Sequence, residues 1–534
     1  MLSFRLSCLL ALAALALAPA FPASAGSSPL AQQQVLKRGN GAEPESLDPA
    51  LVQSVPASDI VADLFEGLTA LDVEGAVVPG VARAWRQRDA LTWEFDLRES
   101  SWSDGRPVTA DDFVYAWRRY LDPRTAAQTA SSFDYFLFNG REVNSGQVAP
   151  DLLGVRALDP LRLEVRTAFP VPYLPEIVAH GNFVPVPRHA IEQYGAHWAR
   201  PGTLVGNGAF TLDKWVVNGQ ITLLRNPQYW DAEHVLLQQV QYASVEDHVA
   251  ELKLYQAGEL DITKGLPAGS FTRLQKTNKH ELHVTPTLSL RYFSLNNTDP
   301  LLADKRVRQA LSMVIDRDIL AERITANGER AAYSVALQGT TGARQTQPYE
   351  WVQWPMADRV KAAAALLSQA GVAPGTPLKI VYNTNDLHKR VALFMASEWQ
   401  SKLGLRTTLE NMEFRVLLRE RNAGNFQVAR DGWVADYRDI GSMLSIVRCR
   451  SKQNSNRNCN EQAERLLEQA QNEPDDAARI DLQTRATTLI MQDYPMIPLA
   501  QMADAHLVKP HVGGYGTQNA LGRYRSQYLY IKAR

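Results

Sequence analysis

Residues 378–410 constrain the fold more than any other stretch, because they alternate strand, helix and strand with almost no chain between them. Residues 378–383 read as a strand, 388–403 as a helix that Gly404 can end, and 405–410 as a second strand. Connections this short imply a right-handed crossover and a parallel strand pair. A helix around 416–422 then leads into a β-rich run, Phe-Gln-Val-Ala-Arg-Asp-Gly-Trp-Val-Ala-Asp-Tyr, at residues 426–437. Short strands and amphipathic helices alternate along the rest of the chain, so the expected class is α/β. Thr109 and Asp112 form a capping pair ahead of Phe113, Trp117 and Leu121. Val249, Leu252 and Tyr255 line a second helix ended by Gly258, and Val307, Ala310, Leu311 and Val314 mark a third. The C-terminal stretch 507–532 returns to β character and is expected to complete a domain begun at the other end of the chain.

The 534 residues exceed what one core can serve, so two or three domains are expected. The N-terminus reads as a secretory signal: Arg5, an apolar run over 9–17, and Ala23-Ser24-Ala25, with cleavage expected after Ala25. Cys8 precedes the apolar run and lacks a lipobox. No later apolar run is long enough to span a membrane. Lys and Arg number 56 against 57 Asp and Glu, a balance that gives no reason to expect nucleic acid or an anionic membrane as partner. In an oxidising compartment Cys449 and Cys459 are expected to pair across a polar loop; the alternative is two free or metal-bound thiols.

The run at 426–437 carries the groups an extended ligand needs. Gly432 allows close backbone approach, Trp433 offers a flat apolar wall, Arg430 a cation and Asp436 a carboxylate suited to an ammonium. Enzyme signatures do not accompany it. There is no G-x-S-x-G, H-E-x-x-H or C-x-x-C, and Gly206-Asn-Gly208 lacks the third glycine of a dinucleotide loop. No catalytic residue, cofactor or metal is expected.

The motifs, taken in order, resemble the periplasmic oligopeptide-binding proteins of ABC importers, within the peptide/nickel-type solute-binding class. They are Ser46-Leu-Asp-Pro49, Asp63-Leu-Phe-Glu-Gly67, Trp102-Ser-Asp-Gly105 with Pro107-Val-Thr-Ala-Asp-Asp-Phe-Val-Tyr115, Gly206-Asn-Gly-Ala-Phe210 and Asn226-Pro-Gln-Tyr-Trp230. Tyr382-Asn-Thr-Asn-Asp-Leu-His388, the run at 426–437, and Leu507-Val-Lys-Pro510 with Gly513-Gly-Tyr515 point to the oligopeptide branch. The resemblance implies a class II, two-lobed periplasmic binding protein with a domain inserted in the first lobe. Lobe I would comprise 26–65, 190–288 and 504–534, the inserted domain 66–189, and lobe II 289–503. It implies a monomer that delivers short peptides to an inner-membrane permease and ATPase complex. Murein peptide, a metal chelate or haem are alternative ligands on the same fold, and an exported peptide hydrolase is a more distant alternative.

By the family's pattern Asp436 meets the ligand's α-ammonium, although it could instead cap a helix beginning after Tyr437. Arg430, Arg421 and His388 fall where the family holds carboxylates, a task suited to the guanidinium fork. Arg421 could equally lie on a solvated helix face, and His388 could cap or pack. Gly432, Trp433 and Val434 would pair with the ligand main chain as an added strand, and Trp433 could instead be core. Val55 would touch the ligand from the other lobe, or pack. The chain also departs from the family. Ser289 and Val434 occupy positions that a cystine can bridge, Gln53 and Met502 replace an expected acidic residue and a tyrosine, and Arg291 lies in a stretch usually richer in tyrosine. Lys264-Gly265-Leu266 lacks the expected asparagines.

Overall fold

The computed structural model describes residues 29–533 except 268, 344, 345, 347, 348, 436, 450, 452, 517 and 518. The expected signal segment and Asp436 therefore lie outside the described residues. Among the described residues no helix is long and apolar enough to cross a membrane.

The first lobe holds a four-stranded sheet in the order Val35–Gly39, Gln239–Ala243, Gln220–Arg225 and Phe210–Trp215. A second, antiparallel sheet beside it orders Ala82–Asp89, Thr92–Leu97, Arg162–Arg166 and Val155–Asp159. One buried core serves both sheets, from Leu36 and Leu64 through Phe95 and Trp117 to Tyr242. The helix Ala110–Leu121 enters that core as expected. The Thr109 N–H donates to Asp112 Oδ2 at 2.8 Å, and Phe113, Trp117 and Leu121 are buried. Val508, Val512, Leu529 and Ile531 join the same core, so the end of the chain packs against its beginning.

The second lobe is built on a six-stranded mixed sheet. Its order is Arg330–Ala331, Met496–Leu507, Leu282–Leu295, Val428–Val434, Pro377–Asn383 and Arg406–Met412. The strand-helix-strand unit is as the sequence implies: Pro377–Asn383 and Arg406–Met412 pair in parallel, joined by the helix Asp386–Leu403, with Gly404 left-handed at φ 68°. A separate core underlies this sheet, with Leu290, Phe293, Leu311 and Trp399 all buried. The third expected helix, Lys305–Met313, buries Val307, Ala310 and Leu311. In the helix His248–Ala257 one expectation fails: Leu252 and Tyr255 are buried, but Val249 is 50% exposed. Val249 lies near the helix start, where its direction falls outside the narrow apolar stripe set by the other two.

Two strands run from one lobe into the other. Leu282–Leu295 and Met496–Leu507 are antiparallel partners, and their register shifts between Pro286 and Leu290. Gln501 staples this crossing, donating to Thr287 O at 2.9 Å and Gln338 O at 2.8 Å. Cys449 and Cys459 form a disulfide with Cα atoms 4.5 Å apart, as cysteine parity and compartment imply.

Candidate ligand site at the end of the central strand

Arg406–Met412 and Val428–Val434 flank Pro377–Asn383 in parallel, so the carboxyl ends of all three share one edge of the second lobe. Ligand crevices of open α/β sheets form outside such ends. Here Val428–Val434 runs on past its neighbour. On one side it pairs along its whole length with Leu282–Leu295, from Val428 opposite Leu295 to Val434 opposite Ser289. On the other side it pairs with Pro377–Asn383 only at Val428 and Ala429. Among the described residues no strand covers that second side beyond Ala429. The Ala435 N–H donates to Leu288 O at 2.8 Å. By alternation, the main-chain groups of Val434 and Gly432 turn towards the open side. The Gly432 N–H meets Asp431 Oδ1 at 2.9 Å there.

Alternation also sorts the side chains. Arg430, Gly432 and Val434 share one face; Asp431 and Trp433 share the other. Arg291 lies directly opposite Gly432, on the face of Arg430. A Cβ at Gly432 would sit 3.8 Å from Arg430 Nη2 and 3.5 Å from Leu290 O, both ordinary contacts. Nothing in the chain itself therefore requires a glycine at this position, which keeps space free over the open edge. Val434 is 66% exposed. Trp433 is half-buried, packs on the second-lobe core and donates its indole N–H to Ser442 O at 3.2 Å. Ser289 lies directly opposite Val434, the pair of positions a cystine can bridge in the family, and here they carry no cysteine.

The arginines differ in what already holds them. Arg421 is not on a solvated face: its guanidinium pairs with the buried Asp431, which also accepts from Ser294 Oγ at 2.9 Å. That pair occupies the strand face opposite Arg430. Arg291 is buried against Glu329 in a two-pronged pair at 2.6 and 3.1 Å. Arg430 has no carboxylate partner among the described residues, and its Nε is buried without a hydrogen bond. Burial, then the charge of Arg291, pushes its guanidinium down to about 10, although Asp431 and Tyr292 pull the other way. His388 sits beside it. Its N–H is accepted by the helix N-cap Asn385 at 3.1 Å, and its Nδ1 lies 2.8 Å from Asn383 Oδ1. Burial, then the charges of Arg430 and Arg291, pushes the imidazole down to about 3. A half-buried corner with an uncompensated guanidinium and a neutral imidazole is arranged to accept an anion.

The remaining expected residues are placed as follows. The helix after Tyr437 is Ile440–Leu444, and its N-cap is Asp439, which accepts from Gly441 N–H at 2.8 Å. The capping alternative for Asp436 therefore has no helix to serve. Val55 is the first residue of the helix Val55–Leu64 and is 58% exposed, so it is not a packing residue. Sequence reasoning missed Glu329 and Asp431. Glu329 stands in no motif, and Asp431, though inside the run 426–437, shows its role only through the arginine it neutralises. Among the described residues no group of His, Cys, Asp or Glu could hold a metal ion.

The family profile "Bacterial extracellular solute-binding proteins, family 5 Middle" matches residues 76–455. The chain is 40% identical over 507 residues to the periplasmic oligopeptide-binding protein OppA of Escherichia coli K12, covering 94% of this chain and 93% of the relative. The structure of Burkholderia pseudomallei OppA, 44% identical, overlays with a TM-score of 0.76 and covers 94% of this chain and 100% of its own. The unliganded open form of the murein tripeptide-binding protein MppA, 35% identical, overlays better, at 0.86, covering 94% and 98%. A second structure of MppA, from Escherichia coli, overlays at 0.76, covering 95% and 100%.

Proposed function

Because the chain belongs to the bacterial extracellular solute-binding proteins of family 5, we propose that it captures short oligopeptides between its lobes and passes them to an ABC importer. The observation that carries this reading is Arg430: an uncompensated guanidinium at the rim of an open strand edge whose main-chain groups face outward. A peptide laid along that edge extends the sheet through Gly432 and Val434, in bonds common to every sequence. Its C-terminal carboxylate goes to Arg430, with His388 beside it. Arg421 and Arg291 already carry carboxylates of their own, so they shape the site and Arg430 answers the ligand. The amine end goes to Asp436, with Val55 meeting the ligand from the first lobe.

No bond is made or broken in this reading. The peptide binds the closed arrangement more tightly than the open one and shifts the population towards it, and the closed shape is what the permease and its ATPase recognise. The protein acts as a monomer in the periplasm, exported by its N-terminal segment and cleaved after Ala25.

Calorimetry with a free tripeptide, its N-acetylated form and its C-amidated form tests this directly. Each blocked end is expected to lose affinity. Asp436→Asn is expected to weaken the free peptide at least about tenfold. Unchanged affinity in that variant removes Asp436 from the site, and equal affinity for the amidated peptide removes Arg430. The mass of whatever co-purifies separates ordinary peptides from murein peptide.

A further inference from the structure

The chain that follows the ligand-pairing strand is held from the other lobe. Tyr437 is the first described residue after Asp436, and although the strand just before it belongs to the second lobe it is buried in the core of the first. Its ring stacks on Tyr173, with centroids 4.3 Å apart and planes 10° from parallel. The next residue continues the contact. The Arg438 main-chain N–H donates to Glu176 Oε2 at 2.7 Å, and its Nη1 donates to Gly75 O at 3.1 Å. From the second lobe, the Thr341 N–H donates to Arg438 O at 2.9 Å, and Asp439 pairs with Arg479 at 2.6 Å. The segment 437–439 is thus gripped on both sides, and Ala435 is anchored just before it on Leu288 O.

Leu288 lies within the register shift of the strands that cross between the lobes. Bodies that rotate against each other keep a close contact only near their axis, and this contact is beside the crossing strands. It can therefore persist through closure while the far rim of the cleft moves.

We propose that Tyr173 and Glu176 are positioning residues for the amine end of the ligand, fixing from the first lobe the backbone that follows the ligand-pairing strand. The inference rests on the reading above, in which the ligand amine lies at this end. Neither residue touches the ligand. Glu176 supplies an acceptor to a main-chain N–H, and Tyr173 a flat surface and a hydroxyl hydrogen bond for Tyr437. Preorganisation of this kind changes affinity without adding a contact.

The test is calorimetry with trialanine and N-acetyl-trialanine on the full mature chain, with thermal unfolding in parallel. Glu176→Ala and Tyr173→Ala are each expected to weaken trialanine about five- to tenfold and N-acetyl-trialanine less than about twofold. Glu176→Gln keeps an acceptor for the Arg438 N–H, so it is expected to bind trialanine as the parent does. If an alanine variant does not fold, Tyr173→Leu, which removes the stack and keeps apolar volume, gives the same reading. Equal losses on both peptides, or none on either, overturn the inference while the amine-end reading stands. If the parent protein binds both peptides equally, the amine-end reading fails and takes this one with it.

Discussion

Two arginines of the second lobe, Arg317 and Arg430, are perturbed to the same degree and used in opposite ways. Burial pushes each guanidinium down to about 10, and neither has a carboxylate partner among the described residues. Arg317 is buried in the lobe, where it donates to Ala332 O, Pro498 O and Ser312 O at 3.1, 2.8 and 3.0 Å and to Ser312 Oγ at 2.9 Å. Tyr333 and Trp351 flank it, with ring centroids 4.7 and 5.6 Å from the guanidinium carbon. Arg430, at the end of the open strand, keeps Nε unpaired. A depressed pKa alone does not distinguish a structural cation from a ligand-binding one. An unmade bond on an uncompensated charge does, because in a half-buried site it is a cost that a ligand can remove; Arg291 and Arg421 also keep one unpaired nitrogen but carry carboxylates of their own.

The strongest way to break this comparison is Arg317→Met. It strands several buried carbonyls and is expected to cost about 3–5 kcal/mol of stability, read from the denaturant midpoint. If the loss is under about 1 kcal/mol, the completed shell is not what holds this region. Arg430→Met is expected to behave in the opposite way. Stability should stay within about 1 kcal/mol of the parent, while affinity for a free-carboxylate peptide falls about thirty- to a hundredfold. Affinity for the C-amidated peptide should barely change, as calorimetry would show.

His388 sharpens the comparison through pH. Its folded pKa of about 3 lies below the ordinary histidine value of 6.5, because burial and then Arg430 and Arg291 disfavour its charged form. The unfolded chain therefore takes up a proton first as pH falls. The stability contributed by this group is full above about pH 6.5 and is lost as pH drops towards 3. Thermal midpoints of His388→Gln should fall less steeply than those of the parent over that window. Saturating peptide should flatten the parent's slope, since a carboxylate on Arg430 offsets the positive charge His388 meets. The smallest effect is expected at Val55. Its exposed side chain makes Val55→Ala neutral in stability within about 0.5 kcal/mol, so any loss of peptide affinity in that variant reports contact with ligand.

Local structure was legible in the sequence wherever the signal was local. Asn385, Gly404 and the apolar spacing between them place a helix between parallel strands, and Thr109 with Asp112 starts another. Val249 shows the limit: three apolar residues at helical spacing do not say how wide the buried stripe is, and its packing leaves it in solvent. The run at 426–437 could be recognised as a binding strand from its residue types and its resemblance to a family. Its open side could not, since that depends on where a strand some 45 residues earlier in the chain stops.

By itself, then, the sequence determined the α/β class, the capped helices and the strand-helix-strand unit, and it made Cys449 and Cys459 the expected pair that the structure joins. Tertiary structure decided which charges are free. Arg421 is neutralised by Asp431 ten residues away, Arg291 by Glu329 thirty-eight residues away, and Arg430 by neither. The reason is physical. Helix caps and periodicity act over a few residues, whereas the balance of a buried charge is set by whichever groups packing brings within a few ångströms, and sequence distance does not record that.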